Sequence, residues 1–93
     1  MKTKIISINH FKNGRIIKNQ SFIDPAIVNK YKGAIKAGHI IPPVELMYFL
    51  GSDKLTLING NHRIKALIDT DKKAVKVLIY NRREGKKALF GRD

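Results

Sequence analysis

The chain has no cysteine, no tryptophan, 3 prolines and only 7 acidic residues in 93. Without cysteine there is no disulfide framework, no thiolate nucleophile and no zinc-thiolate site, so any chemistry must use oxygen and nitrogen side chains. Acid is scarce where catalysis would want it. Glu45 lies in an apolar run, Asp53 in a turn, and Asp69 and Asp71 beyond a helical pattern, none at metal-ligand spacing. No apolar run is long enough to span a bilayer, and the one that starts the chain is broken too soon for a signal peptide. The expected compartment is the cytoplasm, with no membrane partner.

What the chain has in excess is positive charge. Nineteen Lys and Arg against 7 Asp and Glu leave a net +12, and such an excess points to a polyanion, nucleic acid first and an anionic membrane second. A hydrophobic share of 43% is close to the globular average. The length suits one domain with one small core.

The pattern along the chain is α/β in the α+β sense. Residues 4–8 read as a short β-branched strand. Residues 11–19 carry a turn signal at Asn13-Gly14 between part-apolar flanks and fit a hairpin or a basic loop. Asp24 can cap a helix that has Pro25 at its first position and ends at Gly38, with Ile27, Val28, Tyr31, Ala34 and Ile35 on one face. Gly33 inside it costs roughly 1 kcal/mol against Ala, which means close packing there or simply a weaker helix. After Pro42-Pro43, residues 44–50 are apolar on both faces apart from Glu45, as in a central strand. Residues 55–58 return as its hairpin partner, residues 64–68 continue as a short helix, and residues 74–80 form a last strand. The expectation is a mixed sheet of about four strands with two or three helices in residues 1–80. Residues 81–93 then form a basic tail, either anchored by Leu89 and Phe90 or a mobile arm.

One stretch departs from this scaffold: Asn59, Gly60, Asn61, His62 and Arg63, between the hairpin and the second helix. Two cation-capable side chains sit where a helix begins, a position that costs a cation about 0.3–1 kcal/mol and rewards an anion. Gly60 lets backbone approach an oxyanion, and the amides of the next three residues would face it. Asn61 reads as the helix cap. Arg63 can grip phosphate through two parallel bonds and His62 can donate to it or move a proton. Alternatively, His62 bonds a local carbonyl and Arg63 pairs with Asp69 or Glu45. For catalysis the candidates are His62 and Glu45, the latter otherwise on the solvent side of a strand. Lys65, Arg82, Arg83, Lys86 and Lys87 are candidate nucleic-acid contacts.

The order of elements, with Ile35-Lys36-Ala37-Gly38-His39-Ile40-Ile41-Pro42-Pro43-Val44 followed by Leu57-Ile58-Asn59-Gly60-Asn61-His62-Arg63, resembles the ParB N-terminal and sulfiredoxin-like superfamily over residues 24–80. Its members have a helix ending in Gly, a Pro-initiated strand, a hairpin and a Gly-x-x-Arg turn opening a helix. Gly60-Asn61-His62-Arg63 is nearer the Gly-Cys-His-Arg of sulfiredoxins and the Gly-x-His-Arg of free-standing ParB-like proteins than the Gly-Glu-Arg-Arg of partition proteins. Asn61 stands where sulfiredoxins have their catalytic cysteine, which excludes sulfinic-acid repair. Ser21 and Phe22 replace the Pro-Arg pair of ParB proteins, and 93 residues leave no room for a helix-turn-helix or dimer domain. The resemblance implies a nucleotide or nucleic-acid phosphate at residues 60–63. With it come a nucleoside triphosphate with Mg as the cofactor and nucleic acid, DNA ahead of RNA, as the partner. It fits a phage or plasmid accessory factor. Two other readings stand beside this one: a nuclease or nucleotide-dependent phosphotransferase, and a basic protein that binds and inhibits an acidic host protein.

Overall fold

The computed structural model describes residues 2–18, 22–49 and 53–80. Within them the elements are β1 (Lys2–Ser7), α1 (Asn9–Lys12), β2 (Ile16–Lys18), α2 (Pro25–Lys36), β3 (Val44–Tyr48), β4 (Leu55–Asn59), α3 (Asn61–Asp69) and β5 (Ala74–Tyr80). The strands form one mixed sheet of five in the order β1-β5-β3-β4-β2. β1 with β5 and β3 with β4 are antiparallel, whereas β3 with β5 and β2 with β4 are parallel. The expected central strand, β3, is indeed in the middle of the sheet.

The fifth strand comes from the segment read as a hairpin or a basic loop, and it is neither. Residues 9–12 make a one-turn helix that buries Phe11, and Asn13-Gly14 turns the chain into β2. β2 is 3 residues long, too short to show alternation. It forms because Ile16, opposite Leu55, is buried against β4.

α2 has the ends the residues called for. The Asp24 carboxylate accepts from the Ala26 amide at 2.9 Å. At the other end Gly38, at φ +79°, lets Gly38 N–H bond Ile35 O at 3.1 Å and His39 N–H bond Ala34 O at 3.0 Å. That pair of bonds satisfies carbonyls which would otherwise be orphaned. On its apolar side Val28 and Ile35 are buried and Tyr31 packs at the core's edge, but Ile27 lies largely outside. α3 adds Ile64, Ala66 and Leu67, and both helices cover the face of the sheet that carries Val44, Leu46, Leu57, Val75 and Val77.

Gly33 is not a packing glycine: a Cβ there would meet nothing within 4 Å. Its cost is therefore purely that of glycine in a helix. Gly33→Ala is expected to stabilise the domain by about 0.5–1 kcal/mol. A thermal melt should rise by roughly 2–8 °C; an unchanged or lower midpoint would mean that α2 needs its glycine for another reason. No helix among the described residues is long and apolar enough to cross a membrane.

Candidate functional site

The site is built where β4 ends. Gly60 sits at φ 119°, ψ 21°, a left-handed conformation, and turns the chain from β4 straight into α3. Gly60 therefore occupies the cap position and Asn61, expected to be the cap, is the first residue of the helix. Among the described residues no side chain caps this end, and no acid lies in the first turn of α3. The turn is also close-fitting. A Cβ on Gly60 would lie 2.7 Å from Val44 Cγ1 and 3.3 Å from Val44 Cα, so the backbone passes directly over the first residue of β3.

His62 and Arg63 both reach back to other parts of the chain. His62 Nε2 accepts the backbone N–H of Asp24 at 3.1 Å, across 38 residues of sequence. The expected bond to a local carbonyl is replaced by one in which the ring is the acceptor. In the neutral imidazole this assigns the proton to Nδ1, which is left as the donor. The bond also sets the start of α3 beside the start of α2. Arg63 is buried, 8% exposed, and its Nη1 donates to Pro42 O at 3.1 Å and Pro43 O at 2.7 Å. Neither expected ion pair explains it, since Asp69 is taken by Lys65 at 3.0 Å. Arg63 thus supplies a donor to both proline carbonyls. The buried polar side-chain atoms among the described residues all have partners.

Glu45 is not an open strand position. Its Oε2 accepts from Asn59 Nδ2 at 2.6 Å and its Oε1 from the Tyr80 hydroxyl at 2.7 Å. The alignment that allows this is a bulge: Glu45 pairs with Asn59 but Leu46 with Leu57, which leaves Ile58 as an extra residue and turns Asn59 to the side of Glu45. Asn59, Glu45 and Tyr80 thus lock the end of β4 to β3 and β5 just before the Gly60 turn. Lys65 stands on the exposed side of α3 in its pair with Asp69. Arg82, Arg83, Lys86, Lys87, Leu89 and Phe90 lie outside the described residues, as do Ser21 and the Gly51-Ser52 part of the hairpin turn. No three His, Asp or Glu side chains come together to hold a metal ion among the described residues.

α3 begins with backbone N–H groups that no side chain among the described residues caps. The amide-bearing end of α3 carries a positive partial charge, with a donor-bearing imidazole beside it. Sequence reasoning placed Gly60, Asn61, His62 and Arg63 together but missed Asp24, whose amide completes the junction. The signal for Asp24 was only that of a cap. Nothing in the spacing of residues 24 and 62 announces that they touch.

No family model and no curated protein matches the chain. Solved structures do. Sulfiredoxin from Arabidopsis thaliana superposes with a TM-score of 0.67 at 14% identity, covering 96% of this chain and 98% of its own. The C-terminally truncated chromosome-partitioning protein ParB from Caulobacter crescentus, complexed with CTP-gamma-S, gives 0.67 at 10% identity, covering 100% of this chain and 55% of its own. A free serine kinase in complex with AMP gives 0.62 at 15% identity, covering 85% of this chain. The chain spans about a third of the length of that kinase, 31%. The fold is thus the ParB/sulfiredoxin-like one, as the order of its motifs implied.

Proposed function

We propose that this domain binds the phosphate groups of a nucleotide or nucleic acid at the start of α3, and that its basic surface holds nucleic acid, DNA ahead of RNA. The observation that carries the reading is that α3 begins on Gly60 without a side-chain cap or a first-turn acid among the described residues, yet with His62 and Arg63 in that turn. An unneutralised helix start with the Arg63 guanidinium in its first turn is a cost that a bound anion removes, and the Nδ1–H of His62 is a further donor for it. α2 differs, because the Asp24 carboxylate is aimed at its own first turn. The fold neighbours that carry AMP and CTP-gamma-S support a nucleotide as the ligand, and the net +12 supports a longer polyanion.

In this reading the backbone amides of Asn61, His62 and Arg63 and the Nδ1–H of His62 face the phosphate. The guanidinium of Arg63 contributes field and rigidity, since Nη1 is bonded to Pro42 and Pro43. Titration of ¹⁵N-labelled protein with a nucleoside triphosphate at low salt should shift the amides of residues 60–64 and of Asp24 first. Affinity for duplex DNA should fall with salt by about 0.9 log units per tenfold salt for each phosphate contact. Shifts confined to other residues, or binding to neither ligand at low salt, would overturn the reading.

A further inference from the structure

Just ahead of the anion seat the chain holds an aromatic ring out in water. Phe22 is 80% exposed, and its neighbours explain why. Ile23 packs against the core. Asp24 is extended (φ −85°, ψ 115°) and pinned from three sides. Its carboxylate takes Ala26 N–H at 2.9 Å, its amide is held by His62 Nε2 at 3.1 Å, and its carbonyl accepts from Ile27 and Val28, each at 3.1 Å. Ile23 is thus turned to the core while Phe22 is left in solvent. The two residues that follow the ring are anchored, Ile23 by core packing and Asp24 by hydrogen bonds.

We propose that Phe22 is a stacking platform for the base of the nucleotide whose phosphates occupy the start of α3; this rests on the reading above. Two Cα steps of about 3.8 Å separate Phe22 from Asp24, whose amide touches the first turn of α3. The Phe22 Cα therefore lies within about 8 Å of the Asp24 Cα, at the border of the proposed seat. Every base has a π face, so the platform selects for an unpaired base rather than for one base over another. The ligand class is a nucleotide with its base free, either a mononucleotide or a residue of single-stranded nucleic acid, and not a duplex.

The test compares the full chain with Phe22→Ala and Phe22→Trp, titrated calorimetrically with ATP, with inorganic tripolyphosphate, and with a single-stranded and a duplex oligonucleotide. Phe22→Ala is expected to weaken ATP binding about tenfold while leaving tripolyphosphate within about twofold of wild type. Because the chain has no tryptophan, the Phe22→Trp indole is the sole one, and ATP should quench it where tripolyphosphate does not. Loss confined to the single strand would assign the base to nucleic acid, and loss with ATP would assign it to a mononucleotide. If Phe22→Ala binds both ATP and the single strand as tightly as wild type does, the platform is overturned and the phosphate seat stands. Equal weakening for ATP and tripolyphosphate overturns it too, since Phe22 would then act by shaping the seat. If wild type binds neither, the seat itself is gone and the platform with it.

Discussion

Gly60→Ala is expected to destabilise the domain by about 2–4 kcal/mol. Two costs add. An L-residue in the left-handed region is strained by roughly 1–2 kcal/mol, and the new methyl would lie 2.7 Å from Val44 Cγ1 and 2.8 Å from Val44 Cβ. Val44 is fully buried in the central strand, so it has no open side to move toward, and overpacking of this kind costs about 1–3 kcal/mol. The reduced freedom of the unfolded alanine chain returns only about 0.4–1 kcal/mol. Urea denaturation should show the midpoint falling with an unchanged slope, and a melt should drop by roughly 10–25 °C. A midpoint within about 0.5 kcal/mol of wild type would mean that the turn is free to open away from Val44. Gly33→Ala is the matched control, because the same substitution there meets open space.

Arg63→Ala is expected to cost about 2–4 kcal/mol, for a different reason. The guanidinium gives two bonds from a charged donor to Pro42 O and Pro43 O, each of a kind that contributes about 1.5–3 kcal/mol. Truncation leaves these carbonyls without the donor and a void beside the start of β3. Arg63→Lys should recover part of the loss, since one ammonium nitrogen can also donate to carbonyls, but from a flexible stem rather than a rigid planar group. Total stabilities of small domains are about 5–15 kcal/mol, so the alanine variant is expected to be visibly less folded at 37 °C. Loss of anion binding in Arg63→Ala therefore counts for the site only at a temperature where its amide spectrum is native. Wild-type stability in both variants would show that the proline carbonyls do not need this donor, and would return Arg63 to the solvent as a free phosphate ligand.

Both expectations concern residues that sequence reasoning had singled out, but for other work. Gly60 was expected to let backbone approach an oxyanion, and the structure adds a second demand, that a side chain there would strike Val44. Arg63 was expected to face phosphate or a carboxylate, and its donors face two carbonyls. Asn61 was expected to cap α3, and Gly60 holds that place. These differences share a cause. Residue type tells what a side chain can bond to, while the partner is chosen by whatever the fold brings within about 3 Å. The Pro42-Pro43 pair marks the entry to a strand in the sequence, and only in the folded chain does it offer carbonyls to a residue twenty positions later.

Determined by the sequence alone were the elements with strong local signals. The cap and proline that start α2 at Pro25, the Gly38 that ends it, the β3–β4 hairpin and the β5 run all lie where their residues put them. So did the position of the candidate turn, because a glycine followed by cations at a helix start is a local conflict. The tertiary structure decided which strands are neighbours, that three residues from 16 to 18 add a fifth strand, and that His62 joins two helix starts 38 residues apart in sequence. Local preference acts over one or two turns of chain, whereas pairing and burial are settled by the whole core at once. The opening of α3 is where the two kinds of determination meet, its residues legible in order and its contacts legible only in space.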